Sequence, residues 1–274
     1  MDVVMTIAGT DSGGGAGIQA DLKTFQELKV FGTSAITALT AQNTLGVQGI
    51  FPISPDFVLQ QLTSVFSDFD VKAVKTGMLF SAEIIEVIAH FLQQKNVQLV
   101  IDPVMIAKGG ESLLQKEAVE ALKSKLIPLA TVLTPNIPEA EVISGIKIEN
   151  EDQMANAAHK ILQYGVQCVV MKGGHLHDQY SATDKVYLAD GTTFSMKSER
   201  IQTKHTHGTG CTFSAALTSF LAKGYSLKNA MIEAKKFVQL AIENPLNIGH
   251  GHGPTNHFAY QQRKGQYEVS INES

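Results

Sequence analysis

Cysteine is scarce in this chain, with two residues among 274, Cys168 and Cys211. They form no C-x-x-C pair, and two thiols are too few for a disulfide framework. This scarcity argues against the disulfide-rich secreted class, and we expect a reducing cytoplasmic environment. Cys168 lies beside Val169 and Val170 in an apolar run and is typical of a small buried hydrophobe.

Charge of either sign is also sparse. Charged residues make up 18% of the chain, the formal net charge is -4 and the isoelectric point is about 6.1. Such a chain lacks the basic field that holds a polyphosphate backbone. No apolar stretch approaches the roughly 18 residues that a membrane span needs, and residues 1–8 lack the basic region of a signal peptide. We therefore expect a soluble protein with no nucleic-acid or membrane partner.

Two common nucleotide-binding motifs are absent or incomplete. The P-loop pattern G-x-x-x-x-G-K-[ST] occurs nowhere, which excludes a P-loop ATPase by motif. Residues 15–20 match G-x-G-x-x-A, but no Asp or Glu lies between Lys29 and Pro55 to bind the ribose of a dinucleotide. We expect the glycine-rich loop of residues 9–17 to bring a substrate close to the backbone instead.

Hydrophobic residues make up 44% of the chain, enough for a large core. Short apolar runs predict strands at residues 3–8, 34–41, 71–75, 97–104, 131–134 and 167–172. Amphipathic periodicity predicts helices at residues 16–29, 55–67, 81–94, 116–126 and 151–164. This alternation predicts an α/β fold with three helix-sheet-helix layers, a mostly parallel central sheet and ligands at the strands' carboxyl ends.

The alternation of strands and helices stops near residue 185. Asp190-Gly191 suits a tight turn between apolar runs at residues 186–189 and 192–197, which predicts a small edge hairpin. An exposed edge there would permit a homodimer. Helices are predicted at residues 209–222 and 226–242, and a Gly/His-rich stretch and a polar tail from about residue 261 follow. We expect one domain over residues 1–274.

The segment 206–211 has the sequence THGTGC and precedes an apolar amphipathic helix. Gly208 and Gly210 free backbone N–H groups to point at one spot, with the positive end of the helix dipole behind them. This arrangement suits the charge that develops on a transferring phosphoryl group. Glycines that serve only a tight turn are the alternative.

Three charged residues lie at predicted strand ends. The ammonium of Lys172 can neutralise phosphate charge, although a strand-end Lys-Gly-Gly is often a solvated turn. Asp102 and Glu139 offer hard oxygen atoms suited to a hydrated Mg²⁺. Each could instead serve as a turn cap or a first-turn dipole partner.

Taken in order, these segments resemble the hydroxymethylpyrimidine/phosphomethylpyrimidine kinases, a vitamin-kinase branch of the ribokinase-like superfamily, from residue 6 to about 260. The matching segments are TIAGTD at 6–11, GGAGIQAD at 14–21, AQNT at 41–44, KTGM at 75–78 and HTHGTGC at 205–211. The resemblance implies ATP and Mg²⁺ as cofactors. It also implies phosphorylation of 4-amino-5-hydroxymethyl-2-methylpyrimidine and then of its monophosphate to the diphosphate, in thiamine biosynthesis.

For the acceptor substrate, the resemblance implies that Asp21 and Gln42 hydrogen-bond the aminopyrimidine. Gly9, Ala16 and Met78 would shape the pocket around it. A ring nitrogen beside an exocyclic amine presents an acceptor and a donor, which the Gln42 amide can match. Met78 supplies a soft apolar contact for the ring.

For the phosphate end, the resemblance implies that Lys172 contacts the ATP phosphates. Residues 208–210 would form the catalytic loop, in which Thr209 also contacts the nucleotide. Asn136 and Glu139 would serve the nucleotide and its metal, and Cys211 would face the hydroxymethyl group. Many ribokinase relatives carry Asp in place of this Cys. A free thiol of pKa about 8.5 is mostly protonated at neutral pH, and we expect the helix N-terminus to favour the thiolate.

Three other functions are open on the sequence. A two-cysteine pyridoxal kinase shares H-G-x-G-C but carries a lid cysteine, whereas the lid here, residues 107–110, has the sequence AKGG. A cysteine-dependent acyl-transfer enzyme would use Cys211 with His207, and a nucleotide-binding module would need no catalysis. The histidine pairs at 205/207 and 250/252 lack the further ligands of a recognised zinc site.

Overall fold

The computed structural model describes residues 1–106, 113–173, 180–263 and 269–273. The elements before residue 107 are β1 (Val3–Ala8), α1 (Gly17–Glu27), β2 (Phe31–Ile36), β3 (Ala38–Asn43), β4 (Gly46–Pro52), α2 (Pro55–Asp68), β5 (Val71–Thr76), α3 (Ala82–Leu92) and β6 (Gln98–Ile101). Those after residue 112 are α4 (Lys116–Ala121), β7 (Val132–Leu133), α5 (Ile137–Ser144), α6 (Glu151–Leu162), β8 (Cys168–Met171), β9 (Ser181–Leu188), β10 (Thr193–Glu199), α7 (Thr209–Ala222), α8 (Leu227–Glu243), α9 (Ala259–Arg263) and β11 (Ser270–Glu273).

One large sheet organises the described residues, in the strand order β11-β10-β9-β8-β7-β6-β5-β1-β2. Strands β2, β1, β5, β6, β7 and β8 pair in parallel, and β9, β10 and β11 pair antiparallel. The chain leaves β1 for β2 on one side and returns to β5 on the other, so the strand order reverses there. The crevice at such a point is where open α/β sheets bind ligands. The predicted fold class is confirmed.

Helices cover both faces of the sheet. Leu99 and Ile101 of β6 belong to the core under α2 to α6, whereas Val100 belongs to the core under α7 and α8. Burial on both faces explains why the parallel strands are continuous apolar runs. The predicted helix at residues 116–126 is shorter than expected, because α4 passes into a π-helical turn at Leu122–Leu126.

The predicted single strand at residues 34–41 is wrong, since the chain divides at Thr37. The Thr37 hydroxyl donates to the Met78 carbonyl oxygen at 2.6 Å, and its N–H donates to Ala8 at 3.1 Å. These bonds end β2 in the main sheet, and β3 then pairs with β4 in a separate two-stranded antiparallel sheet. No Gly or Pro marks the division, so the apolar run gives no sign of it.

The β3-β4 sheet is tied to a distant part of the chain at its tip. His252 N–H donates to the Thr44 carbonyl at 2.8 Å, and Gly251 N–H donates to the Thr44 hydroxyl at 3.1 Å. A Cβ at Gly249 would lie 2.4 Å from Thr44 Cγ2. The Gly/His-rich stretch that the sequence left without a role therefore packs on the β3-β4 tip.

The hairpin predicted near residue 185 forms as β9 and β10. Its outer strand is covered by β11, which pairs with β10 from Phe194 to Lys197. Part of the polar tail thus joins the sheet, and the edge expected to permit a homodimer is not open at β10. Among the residues described, no helix is long and apolar enough to cross a membrane.

A fully buried ion pair joins α1 to the sheet. Lys75 Nζ of β5 lies 2.9 and 2.8 Å from the two carboxylate oxygens of Asp21, and both side chains are 0% exposed. Thr6 of β1 also donates to Asp21, at 2.6 Å. Burial opposes the charge of Lys75, but Asp21, with Cys211 and Asp102 nearby, raises the pKa of this ammonium. Lys75 is therefore a permanent positive charge inside the protein.

Replacing Asp21 by Asn should lower the free energy of unfolding by about 3–5 kcal/mol, because it leaves a buried ammonium without its counterion. Asp70→Asn is the matched control. Asp70 pairs with Lys72 at the surface, where its side chain is 82% exposed, and surface pairs contribute little. Urea unfolding of the two variants measures the difference, and equal losses would contradict the role given to the buried pair.

Candidate active site

A cavity of about 900 Å³ opens at the carboxyl ends of the parallel strands. Its walls come from the residues that follow β1, β5, β6, β7 and β8, together with β3 and the start of α7. Every predicted site residue except Asp21 lines it: Gly9, Ala16, Gln42, Met78, Asp102, Asn136, Glu139, Lys172, Gly208, Thr209, Gly210 and Cys211. Residues as far apart in the sequence as Gly9 and Cys211 thus meet in one crevice.

The loop before α7 is built for backbone contact. Gly208 precedes the helix with φ 81°, and a Cβ there would lie 1.8 Å from the Gly15 carbonyl oxygen. Only glycine fits this position. The first intrahelical bond is donated by Thr212 N–H to Gly208 O at 2.8 Å, so the N–H groups of Gly210 and Cys211 have no acceptor within the helix. Such a helix start attracts anions.

A cation and a carboxylate lie directly against this loop. Lys172 Nζ donates to Asp102 Oδ1 at 3.0 Å. A Cβ at Gly210 would lie 3.2 Å from that nitrogen and 3.3 Å from Asp102 Oδ2. Burial opposes the charge of Lys172, but Asp102 and Glu139 outweigh it and raise the pKa of the ammonium. A fixed positive charge therefore stands beside the anion-attracting helix start.

Glu139 and Asn136 form a capping box at the start of α5. Asn136 N–H donates to Glu139 Oε2 at 2.8 Å, and Glu139 N–H donates to Asn136 Oδ1 at 2.9 Å. Burial raises the pKa of Glu139 to about 7, with a further rise from Asp102 and an opposing effect of Lys172. Within the described ranges, no group of three or more His, Cys, Asp or Glu could hold a metal ion. Two carboxylates suit Mg²⁺, which keeps several waters and binds substrate phosphates.

Gly9, Met78 and Gln42 form another part of the cavity wall. A Cβ at Gly9 would lie 2.2 Å from Met78 Cε, so this glycine leaves room for the methionine. The register of β3 and β4 shifts between Ala41 and Gln42, and such bulges re-aim side chains. The Gln42 amide reaches the pocket and lies 3.2 Å from Nε2 of His207.

Asp21 is the one predicted substrate residue that does not line the cavity. Both of its oxygens bond to Lys75, and Thr6 donates to one of them. Lys75 itself lines the cavity, and sequence reasoning gave it no role. The sequence did contain a feature that points to Lys75, because this lysine follows the apolar run of β5 and begins the segment KTGM.

The half-buried thiol of Cys211 has a different character from the one expected. Burial raises its pKa to about 11; Lys75 and the Gly17 N–H lower it, whereas Asp21 and Asp102 raise it further. The expected thiolate is therefore not favoured, since burial and the two carboxylates outweigh the Lys75 ammonium and the Gly17 N–H. An acyl-transfer pair also lacks support, because Nε2 of His207 contacts Asp11 and Gln42, and among the described residues no hydrogen bond joins His207 to Cys211.

A second buried ion pair lies at the far end of the cavity, and the sequence did not indicate it. Lys235 Nζ of α8 lies 2.7 Å from Asp184 Oδ2 of β9, and Gly173 N–H donates to Asp184 Oδ1 at 3.2 Å. This pair fixes the turn after Lys172. A lysine within a helix and an aspartate within a hairpin strand carry no motif that could have identified them. The lid at residues 107–110 lies outside the described residues.

Comparisons with known proteins agree with this geometry. The family model described as phosphomethylpyrimidine kinase matches residues 11–256. A hydroxymethylpyrimidine/phosphomethylpyrimidine kinase from Haemophilus influenzae is 58% identical over 94% of this chain and 97% of its own length, and one from Bacillus subtilis is 52% identical over 94% and 95%.

Solved structures give the same answer for the fold. Pyridoxal kinase from Staphylococcus aureus in complex with AMP-PCP has a TM-score of 0.91 and 38% identity, covering 100% of this chain and 99% of that one. Phosphomethylpyrimidine kinase from Clostridium difficile has a TM-score of 0.77 and 45% identity, covering 88% and 100%. With both the sequence and the architecture matched over nearly the whole length, this chain belongs to the phosphomethylpyrimidine kinase family.

Proposed function

We propose that this protein phosphorylates 4-amino-5-hydroxymethyl-2-methylpyrimidine with ATP and then phosphorylates the monophosphate to the diphosphate, in thiamine biosynthesis. The observation that carries the proposal is that one cavity is lined by two sets of residues. Gln42 and Met78 line it, and Lys172 and the helix start form its charged end. Cys211 lies in the same cavity and accepts a hydrogen bond from the Gly17 N–H.

At the charged end, the residues of this chain supply positive potential where negative charge develops. The N–H groups of Gly210 and Cys211 and the ammonium of Lys172 are fixed before the reaction, so they cost no reorganisation when the phosphoryl group is transferred. Asp102 and Glu139 would hold Mg²⁺, which when bound neutralises phosphate charge. Thr209 donates its hydroxyl to the Thr206 carbonyl at 2.7 Å and thereby fixes the loop.

The two acceptors differ in how much proton removal they need. The alcohol must lose its proton during transfer, and Cys211 is the side chain proposed to take it. The monophosphate is already mostly dianionic at neutral pH, because its second pKa is about 6. Clamping and in-line positioning should therefore carry most of the second step.

Pyridoxal phosphorylation is the second candidate. It is favoured by the similarity to pyridoxal kinases from Staphylococcus aureus, with a TM-score of 0.91, and from Bacillus subtilis, with a TM-score of 0.88 and 44% identity. Gln42 favours the aminopyrimidine, since its amide matches an adjacent donor and acceptor. A homodimer, a cytoplasmic location and the single-domain division stay predictions.

The function is tested by coupled ADP release with Mg-ATP and, in parallel, hydroxymethylpyrimidine, pyridoxal and pyridoxine. We expect the highest kcat/KM for hydroxymethylpyrimidine, followed by slower conversion of its monophosphate. Efficient turnover of pyridoxal with no turnover of the pyrimidine would reverse the order of the two candidates. ATP binding with no transfer to any acceptor would indicate a non-catalytic module.

Lys172→Ala should reduce kcat about 10²–10³-fold, the usual loss when one fixed donor to developing charge is removed. The KM for the pyrimidine should change little, because the charge partner of Lys172 is the phosphate. Lys147→Ala is the control, since Lys147 bonds to Glu141 on the surface with a side chain 72% exposed. Equal losses in pyrimidine binding and in turnover would place Lys172 in the acceptor pocket instead.

Cys211→Ala should slow the first phosphorylation more than the second, and the loss should grow toward about 10²–10⁴-fold, the range for loss of a general base, as the pH approaches the pKa of the thiol. The pKa of about 11 for Cys211 lies above neutral pH. The thiolate fraction and the first-step rate should then rise about tenfold per pH unit, whereas the second step should be flat above about pH 7.

Single-turnover rates on the alcohol and on the monophosphate measure both effects. Cys168→Ala is the matched control, since Cys168 is the other cysteine and is fully buried in β8 away from the cavity. It should keep the pH dependence of the first step. If Cys211→Ala lowers both steps by the same factor, Cys211 acts through loop geometry and not as a base.

A further inference from the structure

The Asp11 carboxylate lies at the centre of a network that reaches the acceptor pocket. It accepts three backbone N–H bonds from its own loop, from Gly13 at 2.8 Å, Gly15 at 3.0 Å and Ala16 at 2.8 Å. Its Oδ2 also lies 2.8 Å from Nε2 of His207. Burial disfavours the charge, but the bonds from His207 and the backbone hold the pKa of Asp11 below its usual value.

Because Asp11 is charged, the imidazole of His207 must act as the hydrogen-bond donor between them. A carboxylate has no hydrogen to donate, so Nε2 of His207 must carry the hydrogen of this bond in both the neutral and the protonated ring. The backbone that carries the ring is fixed, because His207 N–H donates to Gly253 at 3.0 Å and its carbonyl accepts from Thr255 at 3.2 Å. A Cβ at Gly15 would lie 2.6 Å from Cδ2 of the ring.

The imidazole in turn determines which end of the Gln42 amide faces it. Nε2 of Gln42 is placed 3.2 Å from Nε2 of His207, and two nitrogens that both carry hydrogen cannot bond. On the other side, Thr40 Oγ1 lies 3.2 Å from Gln42 Oε1, but its one hydrogen is donated to Thr10 O at 2.7 Å. Turning the amide by 180° removes both conflicts, because the hydrogen of His207 Nε2, whose main acceptor is Asp11, then faces the amide oxygen, and the amide nitrogen donates to Thr40.

We propose that the Asp11-His207 pair is a specificity-determining device, which fixes the orientation of the Gln42 amide and thereby selects the ring placement in which an exocyclic amine faces the amide oxygen and the adjacent ring nitrogen faces the amide N–H. Gln42 retains one acceptor site on its oxygen and one N–H, in a fixed order. An aminopyrimidine matches that order with its exocyclic amine and adjacent nitrogen. Asp11 and His207 are positioning residues, and the inference rests on the proposed function.

A matched pair of substitutions tests the hydrogen at Nε2. In His207→Gln the side-chain amide nitrogen lies about as far from Cα as Nε2 of the histidine does. In His207→Asn the side chain is one bond shorter, so its amide nitrogen cannot replace Nε2. We expect His207→Asn to raise the KM for hydroxymethylpyrimidine about 5- to 100-fold, the factor for one buried hydrogen-bonding group left unpaired. His207→Gln should recover most of the loss, and the KM for ATP should stay unchanged in both.

The selectivity readout is the ratio of kcat/KM for hydroxymethylpyrimidine to that for its analogue without the amino group. This ratio should collapse in His207→Asn and in Gln42→Leu, and the double variant should lose no more than Gln42→Leu alone, because both residues act through one amide. His205→Asn is the control. His205 lies in the same loop with the same 8% exposure as His207, but it packs on Gly253, so the ratio should persist.

A spectroscopic measurement on the wild-type protein needs no variant. The ¹⁵N shifts of the His207 ring should show hydrogen on Nε2. An unprotonated Nε2, an unchanged ratio in His207→Asn, or additive losses in the double variant would overturn the inference. Failure of the wild-type protein to phosphorylate hydroxymethylpyrimidine would instead overturn the proposed function, so the two failures are distinguishable.

Discussion

The architecture of the site depends on one steric constraint, the direct backbone contact between two glycine-rich loops. Gly208 lies so close to the Gly15 carbonyl that no side chain fits between them, and within the first loop a Cβ at Gly17 would lie 2.5 Å from the Gly9 carbonyl oxygen. These contacts bring the starts of α1 and α7 together, so that the Gly17 N–H reaches the Cys211 thiol. Both helix dipoles then point their positive ends at one cavity.

This convergence of positive potential is balanced by buried carboxylates. Lys75 is held by Asp21, and Lys172 is held by Asp102, so each ammonium is fixed in place by a partner that also limits its net field. Breaking either pair would leave a costly buried charge. Phosphate groups that enter the cavity therefore meet charges that need no rearrangement, which is the physical basis of electrostatic catalysis.

The sequence predicts the parallel sheet and the lining of the cavity because strand-end residues in such sheets must meet at one edge. It could not predict that Asp21 turns inward, because the partner Lys75 is 54 residues away and an acidic residue on a helix looks the same whether it faces ligand or sheet. The division at Thr37 and the strand β11 were also missed, since long-range hydrogen bonds and not local periodicity define them. The pKa of Cys211 depends on burial, which no motif records.

The tip of the β3-β4 sheet is bonded through Thr44 to His252 and Gly251, and the same segment bonds to His207 through Gly253. A two-stranded sheet alone is only marginally stable in water. The acceptor wall and the phosphate loop therefore share one strip of chain for their order, which favours their opening as one cooperative unit. Amide hydrogens in these two walls would then share one free energy of opening in hydrogen exchange, although more than 160 residues separate them in the sequence.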